Sequence, residues 1–266
     1  LRSASAYLLV SHGSRDPRPQ LATERLASLL IQKLERQQAT DRLSYYQSDE
    51  RKSDTKTALR NQLAKPIVET ACLELAPVSL HVRIEECARK AKERGLESLE
   101  ILPLFLLPGV HVREDIPGEI AIAQQALRGA VKLELRPYLG NYPDIIHILT
   151  KKLEKLPAQA RIILSHGSRR QGANQPCEAI AARLDAVTAY WSLSPSVSEQ
   201  VKVLAESGSE SIAILPYFLF WGGIIDAIAS QVQQLQIAYP KIQLHLGEPL
   251  GATEELADLI LTGIDE

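Results

Sequence analysis

The chain has 266 residues, of which 45% are hydrophobic and 23% charged, and its formal net charge is −2. That length suits one large domain or two of ordinary size, and the composition is that of a globular protein. A near-neutral balance argues against nucleic acid as a partner, and the longest apolar run, 101–110, is broken by Pro103 and Pro108 and too short to cross a membrane. Taken in chain order, apolar runs predict strands over 7–11, 68–75, 99–106 and 131–136. Leu, Ile and Ala at three-to-four spacing predict helices over 20–36, 79–94, 115–127 and 144–156. The pattern then repeats, with strands over 162–165, 187–191, 211–218 and 242–246 and helices over 174–184, 198–207, 224–239 and 254–264. Nearly continuous apolar strands alternating with helices mean parallel sheets covered on both faces. The expected fold class is α/β, with two similar doubly wound parallel-sheet domains over 1–156 and 157–266.

Two blocks of sequence show that the halves are related. Tyr7-Leu8-Leu9-Val10-Ser11-His12-Gly13-Ser14-Arg15 returns as Arg161-Ile162-Ile163-Leu164-Ser165-His166-Gly167-Ser168-Arg169. GLESLEILPLFL at 95–106 returns as GSESIAILPYFL at 208–219, identical at eight of twelve positions with an offset of 113 (208 − 95). The halves differ most between their first and second strands. His12 to Glu74 spans 62 positions (74 − 12), against 26 from His166 to Ser192 (192 − 166). The excess falls in the polar stretch 37–64, read as an exposed surface insertion or an extended helix end, with a lid over the site as the less favoured alternative.

In open α/β sheets the functional crevice lies beyond the carboxyl ends of the strands. His12, Glu74, His111 and Arg113 all fall there. Alignment of the halves pairs His12 with His166, Glu74 with Ser192 and His111 with Ile224. The second half thus keeps one histidine and loses both the carboxylate and the other histidine. Two neutral imidazoles suit a borderline divalent metal and leave coordination positions open. Glu74, inside an apolar run, is expected to be a buried carboxylate that completes the site or accepts protons. Asp115 reads as a helix cap before Pro117, and Glu114 as a solvated residue at the helix entrance. His81, His147 and His245 read as structural or exposed. The three cysteines, Cys72, Cys87 and Cys177, form no C-x-x-C pair and are expected to be reduced thiols of a cytoplasmic protein. No basic-then-apolar leader argues for secretion.

Ser11-His12-Gly13-Ser14-Arg15, Leu73-Glu74-Leu75-Ala76 and Leu102-Pro103-x-Phe105-Leu106-x-x-Gly109-x-His111-x-x-x-Asp115-Ile116-Pro117 together resemble the class II chelatases, above all the long, two-half sirohydrochlorin chelatases. The resemblance implies a lyase that inserts Co²⁺ or Fe²⁺ into sirohydrochlorin for cobalamin or sirohaem synthesis. By the same resemblance His12 and His111 bind the incoming metal and Glu74 assists proton removal. The metal, with Ni²⁺ as a further candidate, is then substrate, and no cofactor is permanently bound. A polycarboxylate macrocycle also calls for cationic and neutral donors, for which Arg15, Arg113 and Ser14 are the candidates. The expected particle is a monomer, with a dimer as the alternative, and no membrane or nucleic-acid partner. Two rival readings are a histidine phosphatase or phosphomutase and a non-enzymatic metal or tetrapyrrole carrier. The phosphatase needs an arginine directly before the nucleophilic histidine, where this chain has Ser11 and Ser165.

Overall fold

A computed structural model of the chain describes residues 5–48 and 65–265. In the first half β1 (Ser5–Ser11), α1 (Pro17–Ser48), β2 (Ile67–Cys72), α2 (Leu80–Glu93) and β3 (Ser98–Pro103) lead to a single π-helical turn, His111–Asp115. It runs directly into α3 (Ile116–Leu127), followed by β4 (Lys132–Leu135) and α4 (Ile145–Glu154). The second half contains β5 (Ala160–Ser165), α5 (Gln175–Arg183), β6 (Val187–Tyr190), α6 (Val197–Glu206), β7 (Ser211–Pro216), α7 (Gly223–Ala238), β8 (Gln243–Leu246) and α8 (Glu254–Asp265). The strands form two four-stranded parallel sheets, ordered β2-β1-β3-β4 and β6-β5-β7-β8. The chain leaves β1 to one side for β2 and returns on the other for β3. That reversal places a crevice at the carboxyl ends of β1 and β3.

Alternation along each strand decides which layer it faces. From β1, Ala6, Leu8 and Val10 point to an outer cluster built with Leu80, Ile84 and Cys87 of α2 and Ile116 and Ala123 of α3. Leu9 points the other way. There it joins a central cluster that runs without a break into the second half, through Leu26 and Leu30 of α1, Leu149 of α4, Ile180 of α5 and Leu256 and Ile260 of α8. A third cluster covers the outer face of the second sheet, between Ile162 and Ile214 and helices α6 and α7. The molecule is therefore layered helix, sheet, helix, sheet, helix, and the middle layer belongs to both halves.

The last helix of each half crosses over. α4 packs against β7, and α8 lies along α1, where Lys33 reaches Asp258 at 2.7 Å. Arg136 after β4 donates to the Ile264 carbonyl at 2.6 Å. Two domains closing separately would each keep their own last helix. These halves exchange them.

One of the alternatives left open for the insertion, an extended helix end, is found for its first part, and one sequence expectation is corrected. α1 continues to Ser48, because residues 37–48 contain neither glycine nor proline to stop it. The rest of the 37–64 insertion lies outside the described residues. β2 ends at Cys72 rather than at residue 75, and the backbone then turns away through Leu75 at φ 56°. Glu74 consequently sits in a turn.

Candidate active site

β1 delivers His12 to the rim of the crevice, and the next residue fixes the loop. Gly13 has φ 100°, and a Cβ there would stand 2.0 Å from the Glu74 carbonyl oxygen. Only glycine fits such a backbone and such an approach. Glu74 N–H donates to the His12 carbonyl at 2.9 Å, and Ser192 N–H donates to the His166 carbonyl at 3.0 Å. These matched bonds show that Glu74 and Ser192 are structural equivalents, as the sequence alignment has them.

β3 delivers Phe105 and, through the π turn, His111. The rings of His12 and His111 meet edge to face with centroids 4.7 Å apart. Phe105 stands 6.4 Å from the first ring and 6.0 Å from the second. His12 Nδ1 lies 3.2 Å from the Gly13 carbonyl oxygen, and His111 Nδ1 lies 2.7 Å from Asp115 Oδ2. A carbonyl and a carboxylate can only accept, so each Nδ1 is the donor, and in the neutral ring each Nε2 keeps a lone pair. A first-row divalent ion bonds imidazole nitrogen at roughly 2.1 Å, so rings this close can share one ion.

Among the described residues no three His, Cys, Asp or Glu side chains cluster as a closed metal cage. The donor face is two imidazoles and is open. Burial holds the Cys87 and Cys177 thiols up at about 11, so neither supplies a thiolate.

His12 opens onto a cleft of about 1030 Å³ between the halves, at the upper end of the range for small-molecule sites. His12, Ser14 and Phe105 line it from the first half and His166, Phe218 and Ile224 from the second. His111 stands against His12 outside the lining. Two ion pairs tie the halves together beside the cleft. Arg18, at the start of α1, forks onto Asp226 in the first turn of α7 at 2.5 and 3.1 Å and also holds Asp16. Arg170 meets Glu114 of the π turn at 3.0 Å.

Several expectations change here. Glu74 is exposed rather than buried, and its carboxylate has no partner among the described residues. Asp115 makes no cap bond with its side chain, which is spent on His111. Glu114 is exposed but pairs with the other half instead of being merely solvated. Ser14 lines the cleft, whereas Arg15 and Arg113 are exposed and outside its lining. His81 is structural, with its backbone N–H and Nδ1 both on Glu119 Oε2, at 2.8 and 2.9 Å. Sequence reasoning did not single out Gln20 or Arg83, which line the cleft from α1 and α2. A polar residue on a helix carries no local signal of the cavity it borders.

A CbiX family model matches the chain twice, over residues 46–156 and 160–266. The chain is 26% identical over 219 residues to the sirohydrochlorin cobaltochelatase of Priestia megaterium, a match covering 76% of this chain and 70% of that protein. It is 25% identical over 214 residues to a sirohydrochlorin ferrochelatase of the same organism, covering 76% and 78%. In structure it resembles SirB from Bacillus subtilis with Fe³⁺ (TM-score 0.68, 20% identity, 98% of this chain and 94% of that one). The sirohydrochlorin chelatase SirB from Bacillus subtilis subspecies spizizenii in complex with cobalt is similar to the same degree (TM-score 0.67, 21% identity, 98% and 94%). At such identities the structural likeness establishes the shared two-half fold. Since the two copies of the family model together span most of its length, the chain belongs to the CbiX family.

Proposed function

We propose that this chain inserts Co²⁺ or Fe²⁺ into sirohydrochlorin, with residues 1–156 carrying the chemistry and 157–266 forming the opposite wall and scaffold. The observation that carries this reading is the pair of imidazoles, each with a free Nε2, at the edge of a cleft broad enough for a flat macrocycle. The family and the relatives' activities support it. Metal insertion exchanges one M²⁺ for the two protons of two pyrrole N–H groups. The site therefore needs donors that hold the ion and release it, and somewhere for the protons to go.

Neutral imidazoles of His12 and His111 hold a borderline ion without the grip of thiolates. The remaining coordination positions of the ion are open to water and then to the macrocycle nitrogens. Glu74, exposed and without an ion-pair partner, takes up the departing protons directly or through water. Phe105, Phe218 and Ile224 offer apolar surface to the macrocycle faces. Its carboxylates fall to Ser14 in the cleft and to Arg15 and Arg113 beside it. Neither of these arginines has an ion-pair partner among the described residues, whereas Arg18 and Arg170 are already engaged. Among the described residues no helix is long and apolar enough to cross a membrane. A monomer working in the cytoplasm completes the proposal.

The test is an absorbance assay of purified protein with sirohydrochlorin and Co²⁺, Fe²⁺ or Ni²⁺ in turn. Metal-dependent conversion of the macrocycle spectrum, many turnovers per protein, is the expected outcome. One equivalent bound without turnover would make the protein a carrier. No response to any metal would end the chelatase reading.

A further inference from the structure

The turn after β3 differs between the halves in three linked ways. The strand blocks of β3 and β7 keep the offset of 113 (208 − 95). The buried core positions of the following helices do not. Aligned by their buried faces, Ile116 and Ala123 of α3 fall on Ile228 and Leu235 of α7, an offset of 112 (228 − 116, 235 − 123), and the partly buried Ile120 then falls on Val232. The first half therefore has one residue more in this turn, and the π turn absorbs it. Its closing bond runs from Ile116 N–H to the His111 carbonyl, whereas the second half is regular α-helix from Gly223 onward. Single π turns of this kind are frequent at functional sites. The histidine and the aspartate that flank the turn are both absent from the second half. Ile224 replaces His111 in the strand register, and Ala227 replaces Asp115 in the helix register.

The extra residue, the histidine and the aspartate thus occur together or not at all. His12 offers the contrast. Its Nδ1 rests on the Gly13 carbonyl at 3.2 Å, and His166 Nδ1 rests on the Gly167 carbonyl at 3.1 Å. A histidine backed by a backbone carbonyl belongs to both halves. A histidine backed by a carboxylate belongs only to the half that retains the second histidine.

We infer that Asp115 is a positioning residue for metal delivery, holding His111 with its proton on Nδ1 so that Nε2, beside His12, is the metal donor. A carboxylate behind a ligating imidazole fixes its tautomer and ring orientation and makes it a better donor. The π turn brings the two side chains to one face and pins the His111 backbone at the same time. The inference takes its choice of ligand from the chelatase reading.

The experiment is a Co²⁺ titration of the full chain without tetrapyrrole, read by the ligand-field absorption of the bound ion. It compares the parent with Asp115→Ala, Asp115→Asn, His111→Ala and the double variant Asp115→Ala/His111→Ala. Loss of the carboxylate weakens Co²⁺ binding by about 10–100-fold, the usual cost of losing such a partner. Asp115→Asn, whose amide oxygen still accepts from Nδ1, recovers part of that loss. In the His111→Ala background, removing Asp115 changes nothing further, because its effect passes through the histidine. Parent-like Co²⁺ binding by Asp115→Ala, or an equal loss in both backgrounds, overturns the inference. Should Asp115→Ala fail to fold, Asp115→Asn carries the same comparison, weakening Co²⁺ binding only where His111 is present. A parent that shows this coupling yet inserts no metal into sirohydrochlorin would refute the chelatase reading and leave the positioning role intact.

Discussion

The two halves share a strand order, a strand-end histidine and even the hydrogen bond that anchors it, yet only one presents a second imidazole beside the first. The scaffold of the site is therefore common property, and the chemistry proposed for it rests on a few changes at the loops. His12 and His166 both face the cleft with the same backbone support. Only His12 has a neighbour with which to share an ion.

The sharpest way to break this comparison is to remove each histidine in turn. His12→Ala and His111→Ala are expected to lower metal insertion by more than about 100-fold, beyond the 10–100-fold cost of losing a supporting partner. His166→Ala is expected to run close to the parent rate, measured by the absorbance assay with folding checked by circular dichroism. Equal losses from His12→Ala and His166→Ala would mean that both halves handle metal.

Glu74 and Ser192 occupy the same place in their sheets, so Glu74→Gln asks what the carboxylate adds. The change is nearly isosteric, and turnover is expected to fall by roughly 10²-fold, the lower range for loss of a general base, with tetrapyrrole affinity retained. Exposure of Glu74 leaves water as a competing acceptor, hence the lower range. A turnover number identical to the parent's would assign proton removal to solvent.

Ile224→His sharpens the comparison from the other side, by giving His166 the partner it lacks. A second Co²⁺ is expected to bind in titration, about 10–100-fold more weakly than the first, because the new histidine has no carboxylate behind it. It also starts a regular helix instead of a π turn. A second site as tight as the first would show that neither device matters.

How much of this was legible in the chain depends on how local the signal is. The strand runs, the repeat and the equivalence of His12 with His166 follow from contiguous residues, and the sheets place them as expected. Glu74 was misread because an apolar run says nothing about where the strand ends, and the turn at Leu75 brings it into solvent. Asp115 was read as a cap because a carboxylate before a proline looks the same in sequence whether it serves the backbone or a histidine four residues back. The single-residue insertion is invisible until the buried positions of α3 and α7 are aligned. The exchange of α4 and α8 and the pairing of Arg18 with Asp226, 208 positions away, are products of the tertiary fold alone.

The smallest expected effects come from the two ion pairs that join the halves beside the cleft, and they too differ. Arg18 is held by two carboxylates, Asp16 and Asp226, and Arg170 by one, Glu114. Hydrogen bonds from Arg18 hold Asp16 down at about 2 and push Asp226 below the usual carboxylate range. Carboxylates depressed on folding stabilise the folded chain above their unfolded pKa of about 4, and that stabilisation is lost as the pH falls through the folded value. Asp16 is half-buried and the other groups are exposed, so the contribution is small and screened by salt. Arg18→Gln is therefore expected to lower the urea midpoint slightly near neutral pH in dilute buffer, and Arg170→Gln to lower it less. Both differences should shrink in concentrated salt, and that for Arg18→Gln should fade as the pH falls through about 2, the folded value of Asp16, and its carboxylates take up protons. A deficit that persists at low pH would mean that the arginine stem packs between α1 and α7, and that apolar contact rather than charge holds this edge of the cleft.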